Sequence, residues 1–116
     1  MRTEKLFSYG TLRYEVVQMA NFGRKLEGTP DSLPAFKLAM VTITDSRVVA
    51  TSGETEHPII SYTGKSADSV DGMVFDISAE ELQQADAYEV DDYKRIEVKM
   101  ASGISAWVYV SAMQIE

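Results

Sequence analysis

Apolar and polar positions alternate in short blocks along this chain, and most blocks end at a glycine or a proline. Residues 5–9, Lys-Leu-Phe-Ser-Tyr, form a short apolar and aromatic run suited to a buried strand, and Gly10 breaks it. Residues 14–25 predict a short helix. Val16, Val17, Ala20 and Phe22 supply its apolar spacing, and Gly23 stands where a helix ends. Residues 26–34 contain Gly28, Pro30, Asp31 and Pro34 and read as a turn-rich connection. Residues 35–44, with Leu38, Met40, Val41 and Ile43, alternate loosely and predict a strand; residues 47–50 predict a short further one. Residues 51–58 are polar, carry the chain's single histidine, His57, and read as a surface loop.

Ile59, Ile60, Tyr62 and Thr63 make another β-prone run, ended by Gly64, and residues 66–71 read as a second polar turn. Residues 70–77 predict a strand in which Gly72 marks either a bulge or a close backbone contact. The clearest helix runs over residues 78–88. Ser78 followed three residues later by Glu81 is a capping-box pattern, and the residues after it are strong helix formers. Residues 95–101 and 105–110 alternate around Ser102-Gly103, which predicts a hairpin. Together these elements predict an α+β fold: a small mixed β-barrel with one or two packed helices, in one domain over residues 1–116.

Composition narrows the class of function. Apolar residues make up 45% and charged residues 25% of 116 residues, the balance of a soluble globular protein with one sizeable core. Eleven basic against eighteen acidic side chains give a net charge of −7, and no basic stripe appears, so no nucleic-acid partner is expected. The absence of cysteine excludes a disulfide framework, a thiol nucleophile and a zinc knuckle. Residues 1–5 lead straight into the first strand without a signal-peptide pattern, and no apolar run of about 18 residues occurs. The expectation is a cytoplasmic protein with no membrane partner. No heptad seam or self-complementary stripe appears, which leaves the oligomeric state open.

Two stretches carry candidate chemistry. At the first, Gly10 lets the backbone turn sharply after the strand, and Thr11 adds a hydroxyl and an amide beside the turn. Several amides facing one concavity form a nest for a carboxylate or phosphate. At the second, Asp86, Glu89, Asp91 and Asp92 crowd into seven residues. Leu82, Ala85 and Glu89 share one helix face, so a face packed on the sheet turns Glu89 inward. Burial, the negative end of the helix and the neighbouring carboxylates then all raise its pKa, while Lys94 and Arg95 oppose the shift. A carboxyl group so placed can take and give a proton near neutral pH. The bland alternative is a frayed helix end and a solvated acidic turn.

Tyr9-Gly10-Thr11-Leu12 resembles the Tyr-Gly-(Ser/Thr)-Leu motif of the gamma-glutamylcyclotransferase-like proteins. Asp86-Ala87-Tyr88-Glu89, followed by Tyr93 and Arg95, resembles that family's later motif, Asp-x-x-Glu and then Tyr-x-Arg. His57-Pro58-Ile59 with Gly64, Val70-Asp71-Gly72, and residues 106–110 are similar to its central segments and last strand. The likeness runs over nearly the whole chain and is nearest to the avirulence-induced-gene-like branch of small single-domain proteins. Val90 follows Glu89 where many members have glycine, which bears on the local turn.

The resemblance implies a cavity at one end of a small mixed barrel, lined by Tyr9, Gly10, Thr11 and Leu12, whose backbone amides meet the substrate. It implies Glu89 as catalytic acid/base, a small-molecule γ-glutamyl substrate, cyclisation to 5-oxoproline with release of an amine, and no cofactor or metal. Two alternatives stand beside it. One is a non-catalytic small-molecule binding protein of the same fold. The other is a tailoring enzyme that removes a γ-glutamyl protecting group by the same chemistry. His57 reads as a loop or structural residue, and Tyr88 and Tyr93 as either core or cavity walls. Arg95 reads as a partner for one of the acids, and Arg13 as a surface residue. The leaving amine is not legible in the sequence.

Overall fold

Strand β1 (Thr3–Ser8) is the middle of the molecule, and its sequence shows why. Successive strand residues face opposite sides, and Leu6 and Phe7 are both buried, so β1 is covered on both faces. Leu6 belongs to an apolar cluster with Leu12, Val17, Leu82 and Ala85, and Phe7 to another with Leu33, Phe36, Ile60 and Val108. The protein thus has three layers: helices, a five-stranded sheet and a two-stranded sheet.

A computed structural model describes residues 3–42, 46–53, 55–89 and 93–112. After β1 come a 3-10 turn (Thr11–Arg13), α1 (Glu15–Phe22), β2 (Gly28–Pro34), β3 (Phe36–Thr42) and α2 (Ser46–Ser52). Then follow β4 (Glu56–Tyr62), β5 (Ser69–Ser78), α3 (Ala79–Tyr88), β6 (Tyr93–Lys99) and β7 (Ser105–Ser111). The large sheet has the order β2-β5-β1-β7-β6, antiparallel except where β1 runs parallel to β7. β3 and β4 form the separate antiparallel pair.

The α+β class with helices on a mixed sheet is as expected, but the sheet does not close into a barrel. Its edges β2 and β6 approach at one end, where Ala101 N–H donates to Ser32 C=O at 2.9 Å and Ser102 Oγ donates to Asp31 at 2.6 Å. Ser32 points that carbonyl away from β5. Pro30 and Pro34 have the same strand parity, so their missing N–H groups fall on the open edge. The same two prolines made residues 26–34 read as a connection, whereas seven of them pair with β5 as an edge strand.

Two further readings change. Residues 47–50 lie in a helix, not a strand. Val48, Val49 and Thr51 are β-branched, but Thr51 Oγ1 donates to Arg47 C=O at 2.8 Å and Gly53, at φ +75°, closes the last turn onto Val49. In α1 the buried residues are Val17 and Gln18, while Val16 is exposed. The chain changes sheets at Ala35, whose φ is +69°. Its N–H donates to Asp68 and its C=O accepts from Thr63 and Gly64, which holds an L-residue in the left-handed region.

Other expectations agree with the structure. α3 starts with a full capping box between Ser78 and Glu81. Gly23, at φ +70°, ends α1, and Gly103, at φ +97°, lies in the β6–β7 turn. Gly72 marks a close contact: a Cβ there would lie 2.3 Å from the Ser8 carbonyl oxygen. Ile43 and Thr44 of the strand predicted over residues 35–44, and Val90, Asp91 and Asp92, lie outside the described residues.

Candidate active site

The site begins where β1 ends. Tyr9 follows the strand into the interior and donates its hydroxyl to Tyr109 C=O at 2.6 Å. Burial, then the nearby Tyr93 and Glu89, raise the Tyr9 pKa, so its hydroxyl stays neutral. Gly10 passes against Pro58; a Cβ there would come within 3.3 Å of the proline ring. The chain then tightens into the 3-10 turn, whose first bond is Arg13 N–H to Gly10 C=O at 3.1 Å. The amides of Thr11 and Leu12 precede that bond and have no partner within the turn.

Two side chains fix this turn. Tyr88, in the last turn of α3, meets Thr11 Oγ1 at 2.7 Å through its hydroxyl. Gln18, buried in α1, donates to Leu12 C=O and accepts from Leu26 N–H, each at 2.9 Å. Nothing local marks Gln18, because a polar residue at a helix position reads as surface.

Glu89 enters the same cavity from the helix layer. α3 ends at Tyr88, and Glu89 is its cap, with extended backbone and its N–H on Ala85 C=O at 3.1 Å. Leu82 and Ala85 are buried on the shared face, so the helix delivers Glu89 inward. The residue as a whole is partly exposed, but the protein packed around its carboxyl strips it of water. Burial first, and the charge of Asp86 second, push its pKa up to about 8. Asp86 is itself tied down. Arg95 grips it with Nε at 2.8 Å and a second nitrogen at 3.0 Å, and the Tyr109 hydroxyl donates to it at 2.7 Å. Arg95 also stacks over Trp107, 4.5 Å from the ring centre.

The cavity is narrow. Its volume is about 20 Å³, room for a water molecule. The four residues of the first motif and Glu89 all line it, together with Phe7, Ser8, His57, Pro58, Tyr93 and Tyr109. The two stretches singled out in the sequence therefore meet in one place. His57 is the largest departure: it is buried on β4 and part of the cavity wall, not in a surface loop. Tyr93 closes the wall by donating to Pro58 C=O at 2.7 Å. Tyr88 packs in the core instead and holds Thr11. Among the described residues no cluster of three or more potential ligands is placed to hold a metal, and no helix is long and apolar enough to cross a membrane.

Residues 6–116 match the family described as gamma-glutamyl cyclotransferase, AIG2-like. The chain belongs to this family. No curated protein sequence is similar enough to match it. Solved structures of the same fold include an Arabidopsis thaliana protein at 20% identity and TM-score 0.74, matched over 96% of this chain. A structure named gamma-glutamyl cyclotransferase has 19% identity and TM-score 0.74, again over 96% of this chain. A human protein has 21% identity and TM-score 0.73 over 97%. This chain spans 63% of the Arabidopsis chain and 68% of each of the other two. At such identities the likeness shows the fold; the family membership rests on the match over nearly the full length.

Proposed function

We propose that this member of the gamma-glutamyl cyclotransferase, AIG2-like family cyclises a γ-glutamyl amine or amide to 5-oxoproline, with Glu89 as general acid/base. The observation that carries the reading is that Glu89 lines the same cavity as the Tyr9–Leu12 turn, where burial and then Asp86 push its pKa up to about 8. The substrate's α-amine nitrogen attacks its own γ-carbonyl carbon, forming the ring C–N bond. The bond from that carbon to the leaving nitrogen breaks. Glu89, as carboxylate, takes the proton from the attacking amine, and the resulting acid delivers one to the leaving nitrogen. Near pH 7 a group with this pKa is roughly one-tenth ionised, so both forms are present.

The amides of Thr11 and Leu12 and the Thr11 hydroxyl are donors for the α-carboxylate or for the oxyanion that develops on the γ-carbonyl. Folding the substrate into the reactive conformer contributes proximity, up to ~7–11 kcal/mol in favourable systems. A γ-glutamyl group is larger than the cavity, so binding requires the lining side chains to give way. The reading takes residues 1–116 as one cytoplasmic domain.

The test is 5-oxoproline release from a panel of γ-glutamyl amino acids, γ-glutamyl amines and glutathione. Release by the wild type and its loss in Glu89→Gln support the reading. Equal release by the two proteins rejects the role of Glu89.

A further inference from the structure

Resting on the reading above, we infer that His57 binds the α-carboxylate of the γ-glutamyl group and makes the site selective for substrates with that carboxylate free. The argument is one of charge. The α-carboxylate carries a full negative charge before any reaction starts, and burying it without a partner is costly. Among the described cavity-lining residues, His57 is the one whose side chain can carry positive charge. Arg13 and Arg95 are close by but engaged elsewhere. Arg13 Nε donates to Gly10 C=O at 3.2 Å, and Arg95 is held by Asp86. Neither lines the cavity. Burial pushes the Glu89 pKa up, which weakens its repulsion of the incoming anion.

His57 is also placed like a binding residue. It is 5% exposed, on β4, paired across the strands with Val41. Its Nε2 lies 3.5 Å from Ser52 Oγ. Ser52 in turn bonds the Tyr88 hydroxyl, which meets Thr11. This chain of polar groups joins the histidine wall to the wall that carries the Tyr9–Leu12 turn. It fixes the ring relative to the amides. With His57 on the carboxylate, the amides of Thr11 and Leu12 are left for the oxyanion, whose charge appears only in the transition state. Preorganised amides suit that task.

The experiment uses two probes, 5-oxoproline and 5-oxoprolinamide, which differ only in the group in question. The sequence has one histidine, so the ring signals of His57 are unambiguous in the NMR spectrum of the untagged protein. 5-Oxoproline should move those signals, and the carboxamide should leave them nearly unchanged at equal concentration. By calorimetry the wild type should prefer the carboxylate by about tenfold or more, the scale of a charge-assisted hydrogen bond. His57→Phe should lose that preference. His57→Gln keeps hydrogen bonding without charge and should lose most of it, which guards against a folding defect in the first variant. Glu89→Gln should retain it. The inference is overturned by an undiminished preference in both histidine variants, or by no preference in the wild type. The release assay separates this from the reaction itself. Preference without release sinks the cyclisation reading alone; release without preference sinks the role of His57 alone.

Discussion

The two walls of the cavity are built differently. One wall belongs to the large sheet. β1 is hydrogen-bonded on both sides, by β5 and β7, and the Tyr9–Leu12 turn that continues it is held by Tyr88, Gln18 and the Tyr9–Tyr109 bond. The other wall is the β3–β4 pair, whose strands hydrogen-bond to each other and join the large sheet through Ala35 and Gly64, both at positive φ. Leu38, Met40 and Tyr62 on this pair are exposed. The first wall and the end of α3 bring the Tyr9–Leu12 turn and Glu89; the second brings His57 and Pro58. The amides thus sit at the end of the doubly paired strand, and the side chain proposed to meet the carboxylate sits on the other wall.

The largest expected effect comes from removing the proposed acid/base, Glu89. Glu89→Gln should lower kcat by roughly 10²–10⁴-fold while affinity for 5-oxoproline changes little. The next concerns the rigid wall. A Cβ at Gly72 would collide with the Ser8 carbonyl, a backbone atom that cannot step aside, so Gly72→Ala should cost about 3 kcal/mol or more, read as a fall in Tm. Gly10→Ala presses on Pro58 of the weaker wall at 3.3 Å, and should cost clearly less. Equal losses would contradict the contrast.

A third prediction follows from the carboxyl group. Burial raises the Glu89 pKa in the folded state to about 8, from an unfolded value of 4.5. Between these values the folded protein binds more protons than the unfolded one. The associated stability is fully present below the unfolded pKa and is lost as pH rises through the folded one. Wild type should therefore lose stability, on the order of a few kcal/mol, over that window, and Glu89→Gln should flatten the slope of denaturant midpoint against pH. Asp86→Asn removes the neighbouring negative charge and frees Arg95. Both changes favour the carboxylate, so the pH profile of kcat/KM should shift to lower pH. The smallest effect is expected where the walls are tied together. Tyr93→Phe removes the bond to Pro58 C=O and should cost about 1 kcal/mol, with KM changing more than kcat.

The sequence was legible where local rules suffice. Ser78 and Glu81 announced α3, its inward face announced Glu89, and the apolar run before Gly10 announced β1. It was illegible where tertiary contacts decide. Pro30 and Pro34 read as turn residues because an edge strand that tolerates them is visible only once β5 is beside it. His57 stood among polar residues, and its burial depends on α2, which β-branched residues disguised as a strand. Gln18 is polar on a helix, and nothing local says that two backbone groups wait for its amide. The two strands of the weaker wall were thus readable, and what local rules missed were β2, α2 and the burial of His57 and Gln18.

The measurement that tests the central claim most directly is the titration of the Glu89 side-chain carboxyl, followed by ¹³C NMR and assigned by its loss in Glu89→Gln. The account predicts a midpoint of about 8. A midpoint near the ordinary glutamate value, about 4.3, would contradict it, since such a group is solvated and has no proton to give at neutral pH.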